Sequence, residues 1–247
     1  MSCPYNSCEF QEYRISALIL AGGKGCRMSA EQKKQYMDLA GRPVLQHTLE
    51  TFANNPGVHD ILLVVPEKDH NFCLTTILKP MGIDTRVELV CGGKERQNSV
   101  LNGLEALALK VDPGKKNIVL IHDGVRPFAG HLLLERCIKG AVRHRACVPG
   151  LPVTDTIKKA DHDGFVRSTV NRGHLFQVQT PQAFDLDLIL RAHRKAAETG
   201  VLATDDGALV EQMGEKVFIT EGVRKNIKIT EPGDLDLAAF FLSRSCH

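Results

Sequence analysis

Leu18-Ile19-Leu20-Ala21-Gly22-Gly23-Lys24-Gly25-Cys26-Arg27-Met28 passes from an apolar strand directly into a glycine-rich, basic loop, with Lys33, Lys34, Gln35 and Tyr36 close behind. Glycine lets backbone N–H groups turn toward an anion where a Cβ would clash. Arg27 and Lys34 add full positive charge beside those dipoles. The combination suits a nucleoside triphosphate, although it is neither a Walker A loop ending in GK[ST] nor the dinucleotide fingerprint G-x-G-x-x-G. A plain chain reversal with solvated lysines is the competing reading, and the rest of the chain has to decide.

Outward from that loop, short β-branched runs alternate with helical periodicities. This predicts an α/β fold: a single Rossmann-like domain with a mostly parallel, twisted sheet flanked by helices. Strands are expected over residues 15–20, 60–65, 87–90, 117–121, 146–149, 217–220 and 227–229. Helices are expected over 44–54, 96–109, 131–144, 186–199, 205–213 and 233–242, the last entered through Pro232, whose missing N–H is harmless there. Between about 152 and 180 the pattern changes to two extended arms, 154–159 and 164–170, turning at Asp161-His162-Asp163-Gly164. An isolated hairpin is marginal in water, so this reads as a protruding β-arm used in dimerisation. Residues 1–14 read as a flexible leader, and 15–242 as the domain.

Composition excludes several classes. The formal net charge is +2, with no basic tract of the kind a nucleic-acid binder carries. No apolar run approaches the ~20 residues that span a bilayer, and no signal-peptide pattern opens the chain. Eight cysteines lie scattered with no C-x-x-C pair, which suits reduced thiols in the cytoplasm. Cys26 is a reactive thiol only if Arg27 lowers its pKa. Neither the cysteines nor the ten histidines show the spacing of a zinc site.

Ligands of doubly wound sheets gather beyond the carboxyl ends of the strands. Three further polar clusters fall there: Cys91-Gly92-Gly93-Lys94-Glu95-Arg96-Gln97-Asn98-Ser99, His122-Asp123-Gly124-Val125-Arg126-Pro127, and Asn226-Ile227-Lys228-Ile229-Thr230. Alternation turns Lys228 away from the face of Ile227 and Ile229. Each cluster has a bland reading as well: a helix-opening turn, a capping aspartate, an exposed strand lysine. Their coincidence at one sheet edge argues for a shared ligand.

Taken in order, AGGKGCRM with KKQY, GGKERQNSV, HDGVRPF, PVTDTIK, TVNR, QTPQAF, ATDD and NIKIT resemble the 2-C-methyl-D-erythritol 4-phosphate cytidylyltransferases, within the wider sugar-phosphate nucleotidyltransferase family. The resemblance implies cytidylyl transfer from CTP to a polyol phosphate, with release of pyrophosphate. Ala21, Gly22, Gly23 and Gly25 would cradle the nucleotide, Gly92, Gly93 and Ser99 would meet the cytosine, and Asp123 would lie beside the nucleotide. Arg27 and Lys34 match the pair that stabilises the reacting α-phosphorus. Arg126, Thr156, Arg172, Thr180 and Thr204 match acceptor-binding positions, with Arg172 on the phosphate and Lys228 aligning the attacking group. Mg²⁺ or another divalent cation would be held mainly by the CTP phosphates, with no protein metal site. A homodimer with exchanged β-arms would bring Thr156 and Arg172 to the neighbour's site. TVNR stands where TVDR is common, and AGGKG and HDxVRPF also occur in ribitol 5-phosphate cytidylyltransferases. Ribitol 5-phosphate is therefore the alternative acceptor, with PVTDTIK and TDD favouring methylerythritol phosphate. A non-catalytic nucleotide-binding homologue is the alternative of another class.

Overall fold

The computed structural model describes residues 12–23, 33–112 and 114–244. The chain opens with β1 (Tyr13–Leu20), a small hairpin of β2 (Asp38–Leu39) and β3 (Arg42–Pro43), α1 (Val44–Ala53) and β4 (Asp60–Val65). A helical run over 67–81 follows, in which α2 (His70–Phe72) and α3 (Lys79–Met81) flank a π-helical stretch, Cys73–Leu78. Next come β5 (Val87–Cys91), α4 (Arg96–Ala108), β6 (Lys116–Asp123), α5 (Gly130–His144) and β7 (Ala146–Pro152). The arm carries β8 (Ile157–Ala160) and β9 (Val166–Val170). The chain then returns through β10 (Phe176–Val178), β11 (Gln182–Asp185), α6 (Leu186–Thr199), α7 (Asp206–Gln212), β12 (Phe218–Glu221) and α8 (Pro232–Ser243).

Eight strands form one sheet in the order β10-β7-β11-β6-β1-β4-β5, with β12 also paired to β7. The block β6-β1-β4-β5 is parallel, and β11 runs antiparallel between β6 and β7. Period-two alternation sorts the side chains to two layers. Ile15, Ala17, Ile19, Ile61, Leu63, Val65, Ile118 and Leu120 meet one layer with α1 and α5; Leu18, Leu62, Val64, Val119 and Ile121 meet the other with α4 and α6. Strands buried on both faces read as near-continuous apolar runs, which is why they are legible in the sequence. Helix α4 lies close on β1, since a Cβ at Gly103 would overlap Leu18 Cδ1. Among the described residues no helix is long and apolar enough to cross a membrane.

Three expectations need correction. Residues 227–229 form no strand: Ile229 N–H donates to the Val125 carbonyl at 2.9 Å, but no ladder develops. Their apolar pattern comes from packing, with Ile229 fully buried among Leu39, Val44, Val125 and Ala238. The first strand begins at Tyr13, inside the expected leader, and Arg14 binds Asp60 there through Nε and Nη2 at 2.7 and 2.6 Å. At the other end α8 extends to Ser243. Strand β11 and the 67–81 run carried no expectation.

The arm matches the expected hairpin in form but is shorter than the expected 152–180: Phe176–Val178 pairs with β7 in the main sheet, and Gln179 and Thr180 are buried. Among the described residues β8 and β9 pair only with each other, and Phe165 and Val166 on the arm are exposed.

Candidate active site

Three loops leave the carboxyl ends of the parallel strands β1, β5 and β6 and are tied together through β4 and β1. Ala21 N–H donates to the Val64 carbonyl and Gly92 N–H to that of Val65, so β4 anchors both glycine turns. Gly124 N–H donates to Leu20 O, and a Cβ on Gly124 would stand 3.2 Å from Ala21 Cβ, which seats the third loop on the first.

Gln35 holds the first loop from below, donating Nε2–H to the Ala21 carbonyl at 2.7 Å while itself buried. Its neighbours diverge. Lys33 is ion-paired to Asp69, whose Oδ2 also accepts from the Tyr36 hydroxyl at 3.0 Å. The Lys34 stem lies against Gly23, with Cε 3.9 Å from where a Cβ would be. Gly25, Cys26 and Arg27 lie outside the described residues.

In the second loop, Gly93 N–H donates to Ser99 Oγ at 3.0 Å, and the Ser99 hydroxyl donates to Glu95 O at 3.0 Å. A Cβ at Gly93 would overlap Asn98 Cβ, so only glycine fits. The Ser99 hydroxyl is thus spent on shaping the turn that presents Gly92 and Gly93.

Asp123 ends β6 and gathers cations from three segments. Lys228 Nζ lies 2.9 Å from Oδ2, Arg126 Nε 3.5 Å from Oδ2, and Arg96 Nε 3.5 Å from Oδ1. Burial would raise the Asp123 pKa, but Lys228, Arg96 and Arg126 more than offset it and hold the carboxyl well below the usual carboxylate range. Arg96 also forks onto buried Asp206 through Nη1 and Nη2 at 3.1 and 2.7 Å. Three cations against two carboxylates leave an excess of positive charge, which suits a polyanion.

Behind Asp123 runs a neutral chain. Asp123 N–H donates to Thr180 Oγ1 at 3.1 Å, the Thr180 hydroxyl donates to His122 Nδ1 at 2.9 Å, and His122 Nε2–H donates to the Arg126 carbonyl at 3.0 Å. Burial lowers the His122 pKa to about 4, so the ring is neutral. Arg126 donates Nη1–H to Asn226 O at 2.9 Å, which ties the third loop to the segment carrying Lys228.

The structure therefore brings Asp123, Arg126, Thr180 and Lys228 together, and Thr180 stands as a support whose hydroxyl is already engaged. Thr204 is exposed on the loop before α7, which Gln97 pins through Val201 O and Ala203 N–H at 2.9 and 3.1 Å. Thr156 and Arg172 are exposed on the arm, where Arg172 Nη1–H donates to the Thr154 carbonyl. Arg96 and Asp206 carried no expected role, although both stand in the quoted motifs; opposite charges in GGKERQNSV and ATDD were the available signal. Among the described residues no group of three or more His, Cys, Asp or Glu side chains is placed to hold a metal ion. A cavity of about 340 Å³ lined by His59, Asp60, Arg86 and Glu88 lies at the opposite, amino edge of β4 and β5.

Residues 15–244 match the family model described as IspD: 2-C-methyl-D-erythritol 4-phosphate cytidylyltransferase. A relative of that name from Clostridium beijerinckii is 45% identical over 228 residues, 92% of this chain and 98% of its own. One from Caldanaerobacter subterraneus subsp. tengcongensis is 41% identical over 230 residues, 93% of this chain and 99% of its own. The crystal structure of 4-diphosphocytidyl-2C-methyl-D-erythritol synthase from Anaerococcus prevotii superposes with a TM-score of 0.82 at 34% identity, covering 96% of this chain and 100% of that chain. On its motifs, its fold and its relatives, the chain belongs to the IspD family, the 2-C-methyl-D-erythritol 4-phosphate cytidylyltransferases.

Proposed function

We propose that this protein transfers the cytidylyl group of CTP to 2-C-methyl-D-erythritol 4-phosphate, releasing pyrophosphate, as a step of isoprenoid biosynthesis. The observation that carries the reading is the cation-wrapped Asp123 at the edge where the glycine loops meet, in a chain of this family.

An oxygen of the acceptor phosphate forms the new bond to the α-phosphorus of CTP. The bond from that phosphorus to the bridging oxygen breaks, and its electron pair leaves on pyrophosphate. Both reactants are anions, so neutralisation and in-line placement supply most of the catalysis, and no covalent enzyme intermediate is needed. Ala21, Gly22, Gly23 and Gly25 line the cradle for the triphosphate and the nucleoside, the glycines offering backbone N–H groups while the Ala21 N–H stays on Val64 O. Gly92 and Gly93 present backbone to the cytosine, with Ser99 fixing their turn. Arg27 and Lys34 meet charge developing around the α-phosphorus. Lys228, held by Asp123, aligns the acceptor phosphate, and Arg126 and Thr180 keep Asp123 in place. Thr204 contributes from the loop before α7.

Thr156 and Arg172 complete the acceptor site from a second protomer. The arm supports this: among the described residues its strands pair only with each other, and its Phe165 is 72% exposed. The divalent cation fits as one carried by the nucleotide. Asp123 is a single carboxylate already engaged by cations, not a cage, and Mg²⁺ takes phosphate oxygens readily while keeping several waters. When bound, it neutralises triphosphate charge. A cytoplasmic location suits the unpaired thiols of Cys73, Cys91, Cys137 and Cys147.

Pyrophosphate release from CTP and Mg²⁺ with each of two acceptors tests the assignment. Release with 2-C-methyl-D-erythritol 4-phosphate and little with ribitol 5-phosphate is expected. The reverse would transfer the assignment to ribitol phosphate, and CTP binding without turnover of either would mark a non-catalytic homologue.

A further inference from the structure

The side chain of Asp206 is only 1% exposed, yet it carries charge toward the site. Both its oxygens receive the Arg96 fork. Arg96 Nε turns the other way, to Asp123 Oδ1, and the second Asp123 oxygen meets Lys228. On the inner side, His193 Nε2 of α6 lies 3.2 Å from Asp206 Oδ1, with both side chains buried, and neither ring nitrogen of His193 makes a well-formed hydrogen bond. Five side chains from α6, α7, α4, β6 and the 226–230 segment thus make one line from the core to the reacting edge.

A buried ion pair is weak ground for stability, because apolar groups of the same volume often serve as well or better. What an Arg–carboxylate fork supplies is direction: two parallel bonds fix the guanidinium plane. Placement makes that direction useful. Arg96 opens α4 just past Gly92-Gly93, and Asp206 opens α7 just past Thr204 and Asp205. The same fork therefore sets the spacing between the turn on the nucleotide side and the loop on the acceptor side. Gln182 reinforces it, accepting from Asp206 and Gly207 N–H while donating to Asp205 Oδ2 at 2.7 Å.

We propose that Asp206 and Arg96 are positioning residues for the cytidylyl transfer. Asp206, backed by His193, orients Arg96; Arg96 fixes the carboxylate of Asp123; and Asp123 holds the Lys228 ammonium on the acceptor side. This rests on the functional reading above.

The test is steady-state kinetics of the full chain, with thermal melts, on Asp206→Asn, Arg96→Lys, Arg96→Gln and the double variant Asp206→Asn/Arg96→Gln. Asp206→Asn should lower kcat at least about tenfold while KM for CTP stays within about threefold, a split that general loosening would not give. Arg96→Lys keeps the charge but loses the fork, and should reproduce that split. The double variant should be no worse than Arg96→Gln alone, because the two residues act as one unit. Turnover of Asp206→Asn within about twofold of the parent, or losses that multiply in the double variant, would overturn the proposal. Should Asp206→Asn fail to fold, a folded Arg96→Lys with unchanged kcat would overturn it alone. An inactive parent chain would instead overturn the functional reading, and this inference with it.

Discussion

Lys228 Nζ lies 2.9 Å from Oδ2 of Asp123, which joins an irregular segment near the end of the chain to the carboxyl end of strand β6. The contact makes Asp123 an organiser of cations. A carboxyl held well below its usual range by Lys228, Arg96 and Arg126 is a poor proton acceptor, and an acceptor phosphate that is already ionised needs no base.

Replacing Asp123 by Asn keeps the shape and removes the charge. Lys228 and Arg126 would then lose their carboxylate while Arg96 kept only Asp206, and breaking a buried pair from one side costs about 3–5 kcal/mol. Asp123→Asn should therefore lose both stability, read by urea unfolding, and turnover. A variant with parental stability would show that the carboxylate does not neutralise these cations.

His122 gives a stability that depends on pH. Its folded pKa of about 4 lies below the unfolded value of 6.5, because burial penalises the charged ring. The neutral ring's contribution is thus fully present above pH 6.5 and is lost as pH falls from 6.5 through 4, because the unfolded chain binds the proton first. The full loss is on the order of 3 kcal/mol. Urea midpoints measured between pH 7.5 and 4 should fall for the parent and fall less steeply for His122→Gln. Identical profiles would remove His122 as the source.

The adjacent lysines Lys33 and Lys34 should separate stability from chemistry. Lys33 is taken up by Asp69, so Lys33→Ala should cost about 1 kcal/mol of stability and change kcat little. Lys34 lies along Gly23, and Lys34→Ala should lower kcat by about 10²- to 10³-fold, the scale of losing an electrostatic stabiliser. Equal kinetic losses from both variants would contradict the division.

Arg172→Ala should raise KM for the polyol phosphate far more than KM for CTP, with an unchanged melting temperature, because the side chain is exposed on the arm. Equal effects on both substrates would remove Arg172 from the acceptor side. Light scattering should give twice the 27.2 kDa chain mass, and a monomer at micromolar concentration would contradict exchange of the arms.

The parallel strands and α6 are legible in the sequence because burial on two faces, or along one helical stripe, imposes a period. Strand β11 is not: its four residues include Gln182, a polar side chain 1% exposed whose burial is balanced by Asp205 and two backbone N–H groups. Conversely, 227–229 mimics a strand because Ile229 packs beneath α8. The site was legible as residue types, while its wiring was not. Ser99 and Thr180 look like ligand contacts, but their hydroxyls close a turn and a relay inside the protein. Arg96 and Asp206 find each other across 110 positions, a pairing set by the fold alone.

Phosphorus NMR of CTP mixed with 2-C-methyl-D-erythritol 4-phosphate, Mg²⁺ and the protein follows the reacting atom itself. Signals of both reactants should decline together while pyrophosphate and a diphosphate diester joining the two phosphorus atoms grow in equal amounts. Orthophosphate in place of pyrophosphate, or pyrophosphate without that diester, would contradict cytidylyl transfer to this acceptor.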